Sequence, residues 1–535
     1  MVKKLTKLFN NIVNAINNKH GLTPEVPSSV KQESRLSRRL ALNLRQLKQA
    51  LGDSSDIVTR EFSIGEQPPV HAALVFVDGL TGKPLVQEHV MKSLMIKAPR
   101  EIGGKKPDLS KIRENLLTIA DVKEERDLKK IIHSVLSGDS ALLIDGCPVA
   151  LLTDTRAWES RGISEPVAEG GVRGPRDGFV ETLRINTALL RRHLKSPDLR
   201  IETMILGNTT RTDVAIAYVQ GIVNEQILEK VRQDLSRIDT DSILDSSYLE
   251  ELMRGHPYTP FPMYEHSERP DKIVASLLEG RVAILVDGTP FVIVVPTILF
   301  QFFQASEDYY TIYHVSTFLR WLRLLGFLLS LYLPSLYIAV ITIHHELIPT
   351  SLALALAGAR EGIPFPALAE ALLMEIAFES LREAGVRLPK PLGQAVSIVG
   401  ALIIGDAAVR AGLVSPAMVI IVAFTGIASF TVPSYKLIFT TRMLRFPMML
   451  AAAFLGLPGI IMVSVVLLAH LTTLKSFGVP YLSPLAPYSG QDLKDVLARA
   501  PWWAMRRRPQ SLRSPDPVRQ ESGLRPTLSG KKPNE

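Results

Sequence analysis

The sequence predicts an α+β cytoplasmic region made of two duplicated α/β lobes, followed by an all-α, multi-pass membrane domain. Two observations carry this prediction: a phrase that occurs twice in the first half of the chain, and long apolar runs without charge in the second half. The chain has 535 residues, of which 46% are hydrophobic. Its mean hydropathy of +0.16 is high for an ordinary soluble protein, which also indicates a membrane protein.

Composition and repeats divide the chain into five regions. The last of them is basic and rich in proline, a composition that predicts disorder after Tyr488. The regions are a basic N-terminal region (1–60), the first lobe (61–160), the second lobe (161–305), the membrane helices (306–480) and the C-terminal tail (481–535).

The N-terminal region begins with an amphipathic pattern over residues 2–17. Such a basic helix lies on a membrane, in a protein groove or against the rest of the fold. Residues 20–34 are predicted to be a linker, and a second basic helix follows with the sequence SRLSRRLALNLRQLKQAL. The stretch LFNNIVNAINN is too polar for a signal peptide, so we expect the soluble half to stay in the cytoplasm. The single cysteine, Cys147, excludes an internal disulfide and fits a reducing compartment.

The two lobes are predicted from an internal repeat. ALLIDGCPVALLT at 141–153 is matched by AILVDGTPFVIVV at 283–295, and Gly79 and Gly146 both have an equivalent glycine 142 residues later. An ungapped comparison of the two hairpin regions gives 11 identities in 26 positions, against about 6% for unrelated residues. We infer a tandem duplication, with the copies at 71–155 and 213–297.

Each copy is expected to fold as a strand, a polar helical stretch, a helix and a β-hairpin. Asp-Gly between runs of Val, Ile and Leu is typical of a tight hairpin turn, because the turn needs positive backbone angles. The second hairpin ends at Pro296, and the chain then continues toward the first apolar run. The second lobe should therefore abut the bilayer, where it could pass a movement to the membrane helices.

A segment rich in glycine and arginine joins the lobes. Its turn is followed by a predicted helix, for which Asp177 is a suitable N-cap. A phosphate-binding loop is a weaker interpretation, since no Gly-Lys-Ser/Thr follows and no strand precedes the turn. We predict an inter-lobe or inter-subunit contact, made by Gly174, Pro175, Arg176 and Asp177.

Three runs in the second half carry no Asp, Glu, Lys or Arg and are long enough to cross a bilayer, which takes about 20 residues. With two shorter runs, they predict four to six membrane passages. Basic segments lie on both sides of the third run, so either the chain bends back at its GLPG sequence or one basic group is outside. The runs are Leu324–Ile343, Leu413–Tyr435 and Phe446–Leu474, and the prolines expected to kink them are Pro334, Pro433 and Pro458.

Ionisable residues within the apolar half are the candidates for function. A helix from Ala367 to about Ala384 would place Glu375, Glu379 and Arg382 on one face, with Glu370 and Glu383 beside it. One interpretation is the acidic lining of a cation path, formed as a ring around an oligomer axis. The alternative is an interfacial helix on which Glu379 and Arg382 pair.

Asp406 is a further candidate within an apolar run, and Arg410 follows four residues later. Asp406 is either a functional intramembrane carboxylate or a group that Arg410 neutralises one turn away. The spacing favours the second interpretation.

Four phrases together resemble the GerA-type spore germination protein family, the A subunits of nutrient germinant receptors. They cover most of residues 60–488 and occur in the order expected for the family. The phrases are GPRDGFVETLRINTALLRRHL, SERPDKIVASLLEGRVAILVDGTPFVIVVP, FESLREAGVRLPKPLGQAVSIVGALIIGDAAV and SFGVPYLSPLAP. Most of them are shared by the SpoVAF-type branch, which acts in the same process without its own nutrient specificity.

The resemblance implies a multi-pass protein of the spore inner membrane that works with a transporter-like B subunit and a lipoprotein C subunit. It also implies that the chain oligomerises and conducts monovalent cations when nutrient binds. Asp406 departs from the family pattern, which usually has a neutral polar residue there, and this bears on ion selectivity.

The leading functional hypothesis is therefore a homo-oligomeric, nutrient-gated cation channel subunit. A secondary transporter would require inverted repeats of spans, and a non-conducting scaffold would leave Glu375, Glu379 and Asp406 free to change. No nucleophile and base occur at usable spacing, so no enzyme activity and no cofactor are expected. The excess of Lys and Arg lies at the tails and membrane edges, which favours anionic lipid over nucleic acid as a partner.

Overall fold

Two α/β lobes, a bundle of apolar helices and a returning C-terminal segment make up the protein in a computed structural model. The structure describes residues 35–65, 69–97, 112–119, 121–157, 173–387, 405–521 and 523–526, with residues 109, 166 and 169–171. The amphipathic helix predicted at 2–17 and the linker predicted at 20–34 lie outside these residues.

The first lobe is a five-stranded antiparallel sheet with strand order β1-β2-β4-β5-β3. Its two central strands, β2 and β4, are rich in Ala, Leu and Val and are almost fully buried, with helices packed on the sheet. The elements are α1 (Leu40–Leu51), β1 (Ile57–Ile64), β2 (Val70–Val77), helical turns (Lys83–Leu85, Val86–Met91, Ser93–Lys97, Ile112–Leu116), β3 (Val122–Glu125), α2 (Leu128–Leu136), β4 (Ser140–Ile144) and β5 (Ala150–Thr153).

The second lobe has the same strand order, β6-β7-β9-β10-β8. Two helices, at 225–236 and 246–252, cover the face of its sheet that lies nearer the apolar helices. The elements are α3 (Leu183–His193), β6 (Leu199–Leu206), β7 (Thr212–Val219), α4 (Glu225–Ser236), α5 (Ser246–Leu252), β8 (Glu265–Ser267), α6 (Pro270–Glu279), β9 (Val282–Val286) and β10 (Val292–Val295).

Corresponding strands of the two lobes lie 142 residues apart. The bounds of β1, β2, β4 and β5 recur 142 residues later in β6, β7, β9 and β10. The duplicated unit also begins earlier than the sequence comparison indicated, since it includes β1 and α1. Leu47 and Leu51 of α1 are buried in the core of the first lobe, so the second basic helix belongs to that lobe and not to a separate N-terminal region.

The Asp-Gly hairpins form as predicted, and each aspartate has a second role. Gly146 and Gly288 have φ of +85° and +91°, which suits glycine at a tight turn. The Oδ1 atom of Asp145 accepts from the backbone N–H of Leu40 at 2.9 Å, and that of Asp287 accepts from Leu183 at 2.8 Å. Each hairpin turn therefore caps the first turn of its lobe's leading helix.

Asp287→Ala is expected to destabilise the second lobe by about 1 kcal/mol, the usual cost of losing an N-terminal helix cap. Asp145→Ala should have the same effect on the first lobe. Both are measured as shifts of the unfolding midpoint of the full chain in detergent. The control is Asp213→Ala, at an exposed position of β7, and equal midpoints for Asp287→Ala and Asp213→Ala would refute the capping role.

The second half of the chain is helical. Among the described residues, two helices, α7 and α11, are long and apolar enough to cross a membrane, with 30 and 21 residues. Two more, α10 and α12, are apolar but shorter. A further predicted run, Gly393–Ala408, lies mostly outside the described residues, since residues 388–404 are not among them. The helices are α7 (Tyr313–Thr342), α8 (Thr350–Gly358), α9 (Ala367–Arg387), α10 (Pro416–Ser429), α11 (Tyr435–Leu455) and α12 (Leu457–Thr473).

The third predicted span is two helices that meet at Gly456. Its φ of +65° ends α11, and α12 begins at the next residue. Leu437 near the start of α11 and Leu471 near the end of α12 share a core with the second lobe, while Met449 and Ile460 share a core at the other end of the bundle. The chain thus bends back at GLPG, which is the first of the two alternatives that the flanking basic segments left open.

Two of the three predicted kinks are wrong. Pro334 lies inside α7, and the kink expected there stays a prediction. Pro433 lies between α10 and α11, and Pro458 lies in the first turn of α12. Proline at these positions removes no intrahelical hydrogen bond, because the first amide groups of a helix have no partner within it. Pro447 lies inside α11 and was not singled out from the sequence.

The disorder predicted after Tyr488 is also wrong for the described part of the tail. Arg508 Nε donates to the Leu278 carbonyl at 2.8 Å, and Asn224 Nδ2 donates to the Leu512 carbonyl at 3.2 Å. Leu512 is 1% exposed in the core of the second lobe. Composition missed this segment because its order comes from contacts with a distant part of the chain.

Candidate functional site

A largely buried group of charges lies where α7, α9 and α11 meet. We call Glu375, Glu379, Arg382, Arg442 and Arg445 the charged cluster. Arg445 Nη1 lies 2.5 Å from Glu375 Oε2, and both side chains are 4% exposed. Arg445 Nε also donates to the Ser330 carbonyl of α7 at 2.8 Å. One arginine therefore joins all three helices.

The second half of the charged cluster lies toward the lobes. Arg442 Nη1 donates to Glu379 Oε1 at 2.8 Å, and Arg382 Nη1 lies 3.6 Å from Glu379 Oε2. The Arg382 guanidinium is also 4.8 Å from the centre of the Phe430 ring, a cation–π distance. With two carboxylates and three guanidinium groups, the fully ionised cluster carries a net charge of +1.

Two polar atoms of the charged cluster are buried without a hydrogen-bond partner among the described residues: Glu375 Oε1 and Arg442 Nε. A buried polar atom without a partner costs about 1–3 kcal/mol. The cluster would therefore gain hydrogen bonds if it rearranged or if water entered.

The helix predicted from Ala367 forms and continues to Arg387, and it brings together the three residues predicted to share a face. Sequence reasoning missed their partners, since Arg442 and Arg445 were interpreted only as basic residues at a membrane edge. Their spacing of three residues was an available signal, because residues three or four apart share a helix face, as Glu375 and Glu379 do on α9.

Glu370 and Asp406 lie outside the charged cluster. Glu370 is fully buried and accepts from Arg360 Nη2 and from the backbone N–H of Ser415, both at 2.8 Å. It holds the start of α10. Asp406 pairs with Arg410 at 2.9 Å, and both side chains are more than half exposed. The pair has the geometry expected for neutralisation one helical turn away.

A second polar site joins the two lobes. Arg191 of α3 is fully buried, and its Nε and Nη2 atoms donate to the carboxylate of Asp56 at 2.7 and 3.0 Å. Arg191 Nη2 also donates to Ser54 Oγ at 2.8 Å, and Ser54 Oγ accepts from the backbone N–H of Ile201 at 3.0 Å. The loop before β1 is thus fixed to the second lobe by a bidentate ion pair.

Beside this ion pair lies a cavity of about 460 Å³ between the lobes. The loop after β2 lines one side, and α3 lines the other. Asp78 in that loop pairs with Lys83 at 3.2 Å and with Arg184 at 2.7 Å. A rotation of one lobe relative to the other would change both the cavity and the Asp78–Arg184 pair, which spans the two lobes.

The turn at 174–177 packs on the second lobe. Gly174 has φ of +116° and lies against the Tyr310 ring, and the Pro175 carbonyl accepts from Arg269 Nη2 at 3.0 Å. Arg176 is exposed. Asp177 is not the N-cap of α3, which is Thr182. Its carboxylate bonds to His193 Nε2 at 2.6 Å, and this hydrogen bond lowers the pKa of Asp177.

The turn thus connects the inter-lobe segment to residues just before α7. The inter-subunit contact predicted for this turn stays a prediction. Tyr310 lies just before α7. A shift of this segment would therefore move residues at the junction between the second lobe and the helices.

Residues 45–511 match the family described as Bacillus/Clostridium GerA spore germination protein. The chain is 46% identical over 491 residues to spore germination protein KA of Bacillus subtilis (strain 168), covering 92% of this chain and 90% of that protein. It is 44% identical over 478 residues to the uncharacterized membrane protein YfkQ of the same strain, covering 89% and 92%.

Similarity also extends to the branch that shares the sequence phrases. Stage V sporulation protein AF of the same strain is 33% identical over 481 residues, covering 89% of this chain and 95% of that protein. The crystal structure of the N-terminal domain of the A subunit of the Bacillus megaterium spore germinant receptor GerK3 is 35% identical with a TM-score of 0.41, covering 50% of this chain and 99% of that chain. Since the family match spans most of the sequence, the chain belongs to the GerA family of spore germination proteins.

Proposed function

We propose that the chain is the A subunit of a nutrient germinant receptor and forms, as a homo-oligomer, the cation-conducting part of that receptor. Membership of the GerA family supports a role in spore germination. Identity of 46% to spore germination protein KA, against 33% to stage V sporulation protein AF, favours the receptor over the paralogous branch. Nutrient binding to the receptor would open the path, and monovalent cations would leave the spore.

The protein would lie in the spore inner membrane as a multi-pass protein with the two lobes in the cytoplasm. The lengths of α7 and α11 support a membrane location, as do the relatives. A transporter-like B subunit and a lipoprotein C subunit would be its partners. The nutrient signal would then reach the A subunit through a protein contact.

The charged cluster is the observation that carries the channel proposal. Ionisable groups among apolar helices are costly and usually serve a path or a pairing. In the arrangement described above, Arg445 and Arg442 neutralise Glu375 and Glu379. Separation of α9 from α11 would free these carboxylates, and copies around an oligomer axis would form an acidic ring that favours cations. The paired arrangement would then be the closed one.

Movement of the lobes has a direct route to the charged cluster through α11. Lys436 at the start of α11 pairs with Glu250 of the second lobe, and Thr440 Oγ1 donates to the Pro260 carbonyl at 2.6 Å. Arg442 and Arg445 follow within the next two turns of the same helix. A rotation of the second lobe would therefore turn the arginines that hold the carboxylates.

Potassium flux from liposomes tests the proposal, with the purified full chain alone and with its B and C partners. The variant is Glu375→Gln plus Glu379→Gln, and the matched control is Glu383→Gln, at an exposed position of the same helix that pairs with Arg387. We expect flux that requires the protein, together with a changed potassium-to-sodium ratio in the double variant and an unchanged ratio in the control.

The same experiment separates the alternatives. A secondary transporter would show flux that saturates and is driven by a counter-gradient. A non-conducting scaffold would show no flux under any nutrient and partner condition. The scaffold is favoured by one observation, that Glu370, Glu375 and Glu379 are each paired with an arginine. Flux with unaltered selectivity in the double variant would remove these glutamates from the path.

A further inference from the structure

The C-terminal segment returns to the start of α7 and stays there through several contacts. The Arg499 backbone N–H donates to Thr317 Oγ1 at 3.1 Å, and Trp321 Nε1 donates to the Leu497 carbonyl at 2.7 Å. The rings of Tyr309 and Trp502 lie 5.9 Å apart. The segment is thereby held beside the first turns of the first long apolar helix.

These contacts set the depth of the segment relative to the apolar part of α7. The uncharged run begins at Leu324, which is three residues beyond Trp321 and therefore about 4.5 Å farther along the helix axis. Trp321 and Trp502 are 60% and 45% exposed. Exposed tryptophan at the end of an apolar helix is typical of the headgroup layer of a bilayer.

The segment is also strongly basic. Residues 499–525 contain seven arginines and two acidic residues, and one of those, Asp516, is engaged by Arg508 at 2.9 Å. Arg506, Arg507 and Arg519 have no carboxylate within ion-pair distance among the described residues. Arg506 and Arg507 are exposed and Arg519 is half-buried, so three guanidinium groups lack a counter-charge.

The backbone holds these arginines together on one surface. Arg507 forms an antiparallel bridge with Val518, and the Arg519 backbone N–H donates to the Arg506 carbonyl at 2.8 Å. The Arg519 guanidinium lies 5.3 Å from the centre of the Trp502 ring. We call Trp502, Arg506, Arg507 and Arg519 the Arg/Trp patch.

We infer that the Arg/Trp patch is a docking site for the headgroups of anionic phospholipids. Guanidinium groups bind phosphate oxygens in a bidentate fork and hold anionic lipid more specifically than lysine does. The aromatic ring supplies the amphipathic surface suited to headgroup depth. Basic groups beside a membrane helix are the expected complement of a negative leaflet. This inference rests on the proposed membrane location of α7.

A bound headgroup would brace the start of α7 against the second lobe. Arg508 in the same segment contacts the Leu278 carbonyl, and Trp321 of α7 contacts the Leu497 carbonyl. The lipid would therefore act at the junction where lobe movement reaches the helices, and the lipid composition of the membrane would modulate that junction.

Native mass spectrometry of the full chain in detergent tests the inference. The protein is mixed with equal amounts of phosphatidylglycerol and phosphatidylcholine, and the ratio of the two bound lipids is counted. The variant is Arg506→Gln, Arg507→Gln and Arg519→Gln together. Loss of three charges near a lipid surface is expected to lower the phosphatidylglycerol preference by about tenfold or more.

Three further samples make the result specific. The matched control replaces three arginines of the lobes, Arg45, Arg60 and Arg237, by glutamine, and it should keep the wild-type preference. Arg506→Lys, Arg507→Lys and Arg519→Lys together keep the charge and should retain much of the preference, which guards against a folding defect. Excess inorganic phosphate should leave the bound lipid in place, and displacement by it would overturn the docking of lipid.

An unchanged lipid ratio in the glutamine triple variant would also overturn the inference. Extraction of the wild-type chain from phosphatidylcholine liposomes by alkaline carbonate separates this outcome from a failure of the proposed membrane location. A chain that resists extraction but shows no preference would contradict only the docking site. A chain that is fully extracted would contradict the membrane location and the docking site together.

Discussion

Arg445→Met is expected to destabilise the helical half by about 3–5 kcal/mol, the usual cost of removing one partner of a buried ion pair. The Glu375 carboxylate would remain 4% exposed without its counter-charge. The Ser330 carbonyl would also lose its donor. The measurement is the unfolding midpoint of the full chain in detergent, with wild type unfolded in parallel.

Two controls separate loss of the ion pair from loss of packing. Glu375→Leu combined with Arg445→Met should recover most of the stability, because apolar groups of similar volume often replace a buried ion pair without cost. Arg410→Met breaks the exposed pair with Asp406 and should cost about 0–1 kcal/mol. A midpoint for Arg445→Met equal to that of Arg410→Met would refute the structural importance of the pair.

The Glu375→Leu plus Arg445→Met variant also tests the channel proposal. It is expected to fold while lacking one carboxylate of the charged cluster, so its ion flux can be compared with that of wild type at similar stability. A change of selectivity in this variant would support a lining role for Glu375. Unchanged selectivity would assign the pair to helix packing alone.

Arg191→Met is expected to weaken the junction of the two lobes by about 3–5 kcal/mol. The Asp56 carboxylate would lose both hydrogen bonds of its bidentate pair, and Ser54 Oγ would lose one of its two donors. Hydrogen exchange of the full chain measures the effect locally. We expect faster exchange in β1 and α3 and little change in the central strands β4 and β9, since each lobe has its own core.

Arg184→Met is the matched control on the same helix. Arg184 pairs with Asp78 at 2.7 Å, but its side chain is 56% exposed, so its loss should cost about 0–1 kcal/mol. Arg191→Lys should be intermediate, because an ammonium group cannot reproduce the bidentate fork. Equal exchange in Arg191→Met and Arg184→Met would show that the lobes are held together by other contacts.

Much of the lobe architecture was predictable from local patterns. The Asp-Gly pairs predicted both hairpins, and the equal spacing of Gly79 and Gly146 from their later equivalents predicted the duplication. Both lobes carry these residues because their hairpins are built on the same Asp-Gly turns. The start of each unit was missed, since α1 and α3 share leucines and arginines that are common in any basic amphipathic helix.

The helical half was less predictable. Uninterrupted apolar sequence indicated helices correctly, but it did not show where one ends and the next begins. Gly456 divides a run that hydropathy treats as one span, and the predicted run Leu413–Tyr435 extends past Ser429, where α10 ends. Boundaries of this kind depend on single residues and on how the neighbouring helices pack.

The sequence by itself determined the duplicated lobes, their hairpins, the apolar helices and the family of the protein. Only the tertiary structure decided the partners of the buried charges and the position of the C-terminal segment. Glu375 and Arg445 are 70 residues apart, and Asp56 and Arg191 are 135 residues apart. Local periodicity reports on neighbours within a few turns, whereas these pairs exist only because folding excludes water and leaves each charge a single nearby partner.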